Sequence, residues 1–187
     1  ASDHQLTLHG RAIGNVIDAL DLDGFVFVGQ DWGGPIGLSA IADRLDRLAG
    51  LVVLNTVLGP PKPGFKPTAF HRFARMPFVS DLAFRAGGFP QRALHFAQGD
   101  KTSIRGTVAR AYQVPLQGFP VAPLALARMV PDSLSHPSIA ELERCDRTAR
   151  AFEGPTAIVW GDNDPVLGGV RTHIERMLPH ASVRRTQ

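Results

Sequence analysis

Residues 29–33, Gly29-Gln30-Asp31-Trp32-Gly33, set a carboxylate and an indole between two glycines. The pattern is glycine, any residue, nucleophile, any residue, glycine, with Asp at the centre. In strand–turn–helix context, such a turn lifts the central side chain out at the end of a strand, beside a helix N-terminus that favours an anion. The neighbours of the central residue must then be small, which gives Gly29 and Gly33 a use. A carboxylate nucleophile suits attack at a saturated carbon. It displaces a leaving group and forms an alkyl ester, which water cleaves with the help of a base. Trp32 supplies an indole N–H donor that can hold a departing anion. The same residues also read as a capping or ligand-binding aspartate beside a core tryptophan.

These groups need elements to hold them. Phe25-Val26-Phe27-Val28 reads as a short buried strand, and residues 35–45 as the helix after it, with Pro35 in the first turn. Before them, residues 6–22 carry Leu8, Ala12, Val16, Ala19 and Leu20 at helical spacing. Residues 48–56 read as a second buried strand. Apolar runs separated by helices predict an α/β chain with a parallel sheet covered on both faces. From 58 to 138 strand patterns vanish. Helix-like pieces punctuated by Pro and Gly follow, at 68–76, 79–87, 89–98 and 102–113. This segment is expected to be a helical insertion. The sheet pattern returns with a helix at 138–152, a strand at 155–161, a helix at 172–180 and a strand start at 181–187.

Composition narrows the function classes. A chain of 187 residues with 44% hydrophobic and 20% charged residues can fold around a real core. The net charge of +3 is spread thinly, and only three of the 20 basic residues are Lys, so nucleic acid is not an expected partner. The single cysteine, Cys145, rules out an intrachain disulfide and a multi-cysteine metal site; it reads as a structural thiol. No apolar run approaches a membrane span, and no signal peptide is visible. A cytoplasmic, monomeric protein without metal or cofactor is expected.

On these residues the chain resembles the haloalkane dehalogenases of the α/β-hydrolase superfamily. "VGQDWGGPIGL" looks like their nucleophile elbow, "LVVLNT" like the next strand, "AYQVPL" and "LARMVPDSLSHPS" like the back half of their helical cap, and "GPTAIVWGDNDPVLG" like the strand and loop carrying their acid. The resemblance implies an α/β-hydrolase-type parallel sheet with a helical cap insertion. Residues 1–57 and 139–187 would be the two parts of the core, and 58–138 the cap. It implies Asp31 as nucleophile, Trp32 as a halide-stabilising donor and Asp164 as the acid that orients a histidine base. Asp162 is the rival acid and reads as a turn former. After "LVVLN" the chain offers Asn55 and Thr56 but no carboxylate. The implied partners are a small apolar halogenated substrate and a halide ion.

Two family features have no counterpart here. None of the seven histidines, His4, His9, His71, His95, His136, His173 and His180, lies in the Gly-His-Phe-like context of the family's base. The early strands and the His-Gly-x-Pro oxyanion loop are also missing. The sequence is therefore expected to be a fragment, with its base beyond Gln187. A second halide donor stays unassigned; Trp160, on a strand, reads as core. Two alternatives remain. An epoxide hydrolase would use the same Asp attack but usually needs two tyrosines, and only Tyr112 is present. A non-catalytic truncated hydrolase is the other.

Overall fold

The computed structural model describes residues 5–164 and 166–186, with only the backbone described at Phe96 and Ala97. His4, Pro165 and Gln187 lie outside the described residues. In chain order the elements are α1 (Leu6–Ala19), β1 (Phe25–Asp31), α2 (Gly33–Ile41), β2 (Leu48–Thr56), α3 (Ala69–Ala74), α4 (Val79–Asp81), α5 (Leu94–Ala97), α6 (Gly106–Gln117), α7 (Ala122–Met129), α8 (Ile139–Ala151), β3 (Thr156–Gly161), α9 (Arg171–Met177) and β4 (Ser182–Thr186). α4 runs into a wider π-turn at Leu82–Ala86. The described chain divides into two compact units, 5–63 with 134–186, and 64–133.

The first unit is a four-stranded parallel sheet in the order β1-β2-β3-β4. Its core joins Leu38 and Ile41 of α2, Leu51 and Val53 of β2, Cys145 and Ala149 of α8, Ile158 and Trp160 of β3, and Ile174 of α9. Trp160 is fully enclosed. Cys145 is buried too; its thiol lies 3.3 Å from the Pro35 carbonyl, and desolvation pushes its pKa up to about 12. An inert structural thiol results.

Two expectations about this unit need correction. β1 is not buried on both faces. It is an edge strand among the described residues, and Val26 and Val28 are each 56% exposed. Phe25 and Phe27 alternate with them and pack against the core. The buried stripe of α1 is also not the predicted one. Leu6, Gly10, Gly14 and Ile17 face inward, whereas Leu8, Val16 and Leu20 are exposed. The reason is close helix packing. A Cβ on Gly10 would sit 2.0 Å from Ser39 Oγ of α2, and one on Gly14 would sit 2.8 Å from the Arg44 guanidinium. Small residues, not large ones, mark that contact. On its other side α2 meets α8, where Ser39 Oγ donates to Glu141 at 2.5 Å.

The 64–133 unit has no strand among its described residues. α7 is a helix that the sequence pattern did not single out. The core of this unit is Ala74, Phe84, Leu124 and Ala127, with Phe73 and Phe89 packed on it. The Phe84 and Phe89 rings meet edge to face at 5.1 Å between centroids. Arg75 ties α3 to the chain after α7, reaching Asp132 at 2.7 Å and the Val130 carbonyl at 2.8 Å. Phe84 is the largest enclosed side chain here, 2% exposed. Phe84→Ala should therefore destabilise this unit by about 3–5 kcal/mol. Denaturant unfolding followed by a probe placed in 64–133 measures it; an unchanged midpoint would refute the assignment of the core.

Candidate active site

Asp31 is the last residue of β1 and has φ +47, in the left-handed region that a non-glycine residue rarely enters. Trp32 follows in helical conformation, and α2 starts at Gly33. The turn is tight because β1 and α2 nearly touch. A Cβ on Gly29 would lie 2.9 Å from Gly34 Cα and 2.8 Å from the Phe27 ring, and one on Gly37 would lie 2.1 Å from the same ring. Phe27 thus fills the slot between strand and helix that these glycines leave open.

The sequence assigned the second glycine role to Gly33. A Cβ there would meet nothing within 4 Å. Gly34 is the crowded position: a Cβ would lie 2.0 Å from Thr56 Oγ1 and 3.0 Å from Thr56 Cβ. Thr56 is the last residue of β2, fully buried, and its hydroxyl donates to the Asp31 main-chain carbonyl at 2.6 Å.

Asp164 follows β3 at the same carboxyl rim of the sheet, where ligand sites of open α/β sheets form. Its Oδ1 accepts the backbone N–H groups of Val166 (2.8 Å) and Leu167 (2.9 Å), and its Oδ2 accepts the Asn55 amide at 2.8 Å. Desolvation acts to raise its pKa. The N–H donors of Leu167 and Val166, with the Asn55 amide, outweigh it and hold the carboxyl below its ordinary value. Asp162 is engaged elsewhere. It pairs with Arg171 at 3.2 Å and Arg185 at 2.5 Å.

Asp31 shifts the opposite way. Its side chain stays open to solvent on one side, yet desolvation by surrounding protein raises its pKa, and the negative charge of Asp164 raises it further. The Trp32 backbone N–H bonds the carboxylate and opposes both. The influence of Asp164 is one-sided because Asp164 loses its proton first. The rim therefore holds an already ionised carboxylate and a second one that ionises later.

Trp32 is half-buried at the head of α2. Neither His173, on α9, nor His180, in the turn between α9 and β4, joins this pair. His180 Nε2 lies 3.1 Å from Thr156 Oγ1, at the opposite, amino end of β3. His173 on α9 senses Lys62, Arg150, Asp146 and Arg176 rather than either carboxylate. Tyr112 is 54% exposed on α6. Among the described residues no group of His, Cys, Asp and Glu could hold a metal ion, and no helix is long and apolar enough to cross a membrane.

Sequence reasoning passed over Asn55 because it sought a carboxylate there. A polar pair at the carboxyl end of an apolar strand was the available signal.

A parallel sheet with helices between its strands, whose first strand ends in a left-handed residue heading a helix, defines an α/β protein. Residues 2–186 match the model of the alpha/beta hydrolase fold, and the chain belongs to that family. Its curated relatives include haloalkane dehalogenase 2 of Mycobacterium tuberculosis and Mycobacterium bovis. Each is 31% identical over 162 residues, covering 86% of this chain and 55% of the relative. The haloalkane dehalogenase of Psychrobacter cryohalolentis is 24% identical over 95% of this chain and 57% of its own. The chain thus spans about half the length of the curated relatives it matches. Among solved structures, haloalkane dehalogenase DatA from Agrobacterium tumefaciens superposes with TM-score 0.82 at 18% identity, covering 98% of this chain and 65% of that one. A thermophilic esterase from Thermogutta terrifontis reaches 0.68 at 19%, covering 97% and 63%. These structural likenesses establish the fold alone.

Two measurements test the site geometry. Gly34→Ala should cost about 1–3 kcal/mol, because the enclosed Thr56 cannot yield, while Gly33→Ala should change stability by about 0.5 kcal/mol or less. Denaturant titration of both variants decides it; equal effects would refute the packing. The second test follows the raised pKa of Asp31. A carboxyl that holds its proton more tightly when folded favours folding at low pH. That advantage is lost as pH rises from the unfolded value through the folded one. Asp31→Asn should therefore raise the melting temperature at neutral pH, and the gain should disappear as pH falls below about 4. A gain independent of pH would point to backbone relief alone, since Asn tolerates positive φ.

Proposed function

We propose that this protein hydrolyses the carbon–halogen bond of small haloalkanes through an aspartyl alkyl-enzyme ester. The observation that carries the reading is Asp31 held in left-handed conformation at the carboxyl end of β1, beside a second, ionised carboxylate. The haloalkane dehalogenases among its relatives support that substrate class. In this reading Asp31 attacks the halogen-bearing carbon, the halide leaves with the bonding electrons, and an ester of Asp31 remains. The Trp32 indole N–H stabilises the negative charge growing on the halogen. Water then attacks the carbonyl of the ester, releasing the alcohol and restoring the carboxylate. That step needs a base, and Asp164 orients it. Neither His173 nor His180 is placed for that role. Residues 58–138 are taken as the helical cap.

The raised pKa of Asp31 fits this chemistry. A desolvated carboxylate is a stronger nucleophile, and a partner such as Asp164 must already be charged to steady an imidazolium. The sole tyrosine, more than half exposed on α6, gives the epoxide alternative no paired donors.

The test is halide release from a 1-haloalkane, with mass spectrometry of the peptide containing Asp31. Asp31→Asn should abolish adduct and halide, because a neutral amide is a poor nucleophile. In the unsubstituted protein, adduct formation should fall as pH drops through the raised pKa of Asp31, since only the carboxylate attacks. Halide release by Asp31→Asn, or adducts with epoxides but not haloalkanes, would overturn the reading.

A further inference from the structure

We propose that Asn55 and Thr56 act together as a positioning bracket that sets the separation of the two rim carboxylates. The inference rests on the reading of Asp31 as nucleophile and Asp164 as its acid partner, and concerns two residues that contribute no reacting atoms.

β2 lies between β1 and β3, and its last two residues serve one neighbour each. The Asn55 side chain reaches β3. Its Oδ1 accepts the Gly161 N–H at 2.7 Å, and its Nδ2 donates to the Gly161 carbonyl at 3.0 Å and to Asp164 Oδ2 at 2.8 Å. Every donor of that amide is used, and its orientation is fixed by the Gly161 N–H, which can only donate. Thr56 reaches β1 instead, through the 2.6 Å bond to the Asp31 carbonyl.

Side chains in a regular strand point to alternate faces and do not reach sideways to neighbouring strands. The backbone at Asn55 breaks that rule. Its φ is +32, a left-handed value that Asn tolerates better than most residues. The regular β2–β3 pairing ends at Leu54 and Val159. Past that point the Asn55 amide stands in for the lost backbone rung, pairing with both main-chain groups of Gly161. It then extends the link to Asp164. A carboxylate at 55 could not donate, and a longer amide would displace the rung. Thr56 needs its own clearance, which Gly34 provides by lacking a Cβ.

Both acid-bearing segments therefore hang from adjacent Cα atoms, about 3.8 Å apart. Any shift of Asp31 away from the rim lowers both the desolvation and the field of Asp164 that raise its pKa. Any loss of the Asn55 amide removes one of the three hydrogen bonds that keep Asp164 ionised.

The test is a side-chain carboxyl NMR titration of Asp31 and Asp164 in the protein and in Thr56→Val, Thr56→Ser and Asn55→Ala, with the rate of ester formation from a 1-haloalkane measured in parallel. Thr56→Val keeps the shape and removes the hydroxyl. The midpoint of Asp31 should fall toward the ordinary carboxylate value, with Asp164 unmoved, and ester formation should slow by roughly tenfold or more. Thr56→Ser, which restores the hydroxyl, should recover both. Asn55→Ala should raise the midpoint of Asp164. The bracket is overturned if Thr56→Val leaves the midpoint of Asp31 in place, or if Thr56→Ser fails to restore it. Should the protein form no ester with any haloalkane, the catalytic reading falls while the titrations still decide the bracket.

Discussion

The left-handed backbone at Asp31 is the constraint around which this structure is arranged. An L-residue in that region costs about 1–2 kcal/mol, so the surroundings must hold it there. They do so from three sides. Phe27 wedges between Gly29 and Gly37, fixing how closely β1 approaches α2. Gly34 opens the space that Thr56 enters. The Thr56 hydroxyl then ties the Asp31 carbonyl to the end of β2. The pairing of β1 with β2 shifts register between Gln30 and Asp31, where the strand turns into the helix. Removing any of these features would let the chain relax toward ordinary geometry and carry the carboxylate away from the rim.

Electrostatics then separates two residues of the same type. Asp164 and Asp31 both carry carboxyl groups at the carboxyl end of one sheet. Asp164 is surrounded by three donors, two from the backbone just after it and one from Asn55. Asp31 has only the Trp32 N–H and stands in the field of its neighbour. Burial raises both carboxyls; at Asp31 it prevails, and at Asp164 the three donors together outweigh it, so Asp164 ionises first. Asp162, two residues from Asp164, is taken out of this pair by Arg171 and Arg185, which hold it on the flank formed by α9 and β4. One short loop thus carries one acid for the rim and one for the scaffold.

Helix packing explains why the elbow has a firm base. α2 lies between α1 and α8. The first contact is made close by Gly10 and Gly14, and the second is joined through Ser39, Glu141 and Arg144. Arg144 also reaches Asp43 beyond the end of α2, at 2.6 Å. The helix that Asp31 heads is therefore gripped along most of its length. The 64–133 unit holds itself together differently, by phenylalanine rings packed edge to face and by arginines bonding to main-chain carbonyls. Each unit thus has its own source of cohesion.

The sequence by itself determined the alternation of strand and helix, the parallel sheet, and the position of Asp31 at a strand end, because apolar runs of strand length and glycine-flanked turns act locally. The family resemblance implied Asp164 rather than Asp162 as the acid; the structure puts Asp164 at the carboxyl rim with Asn55 and pairs Asp162 with Arg171 and Arg185. Only the tertiary structure decided which faces are buried. The stripe on α1 was misread because its contact with α2 is built from glycines, which carry no hydrophobic signal. The exposure of Val26 and Val28 depends on what stands beside β1, which no periodicity records. Gly33 and Gly34 look alike as letters; the difference lies in a threonine 22 residues beyond Gly34. Asn55 and Thr56 were visible only as residues that are not acids. Their importance comes from reaching sideways to β1 and β3, and that follows from strand order and a single left-handed φ, neither of which is written in local sequence.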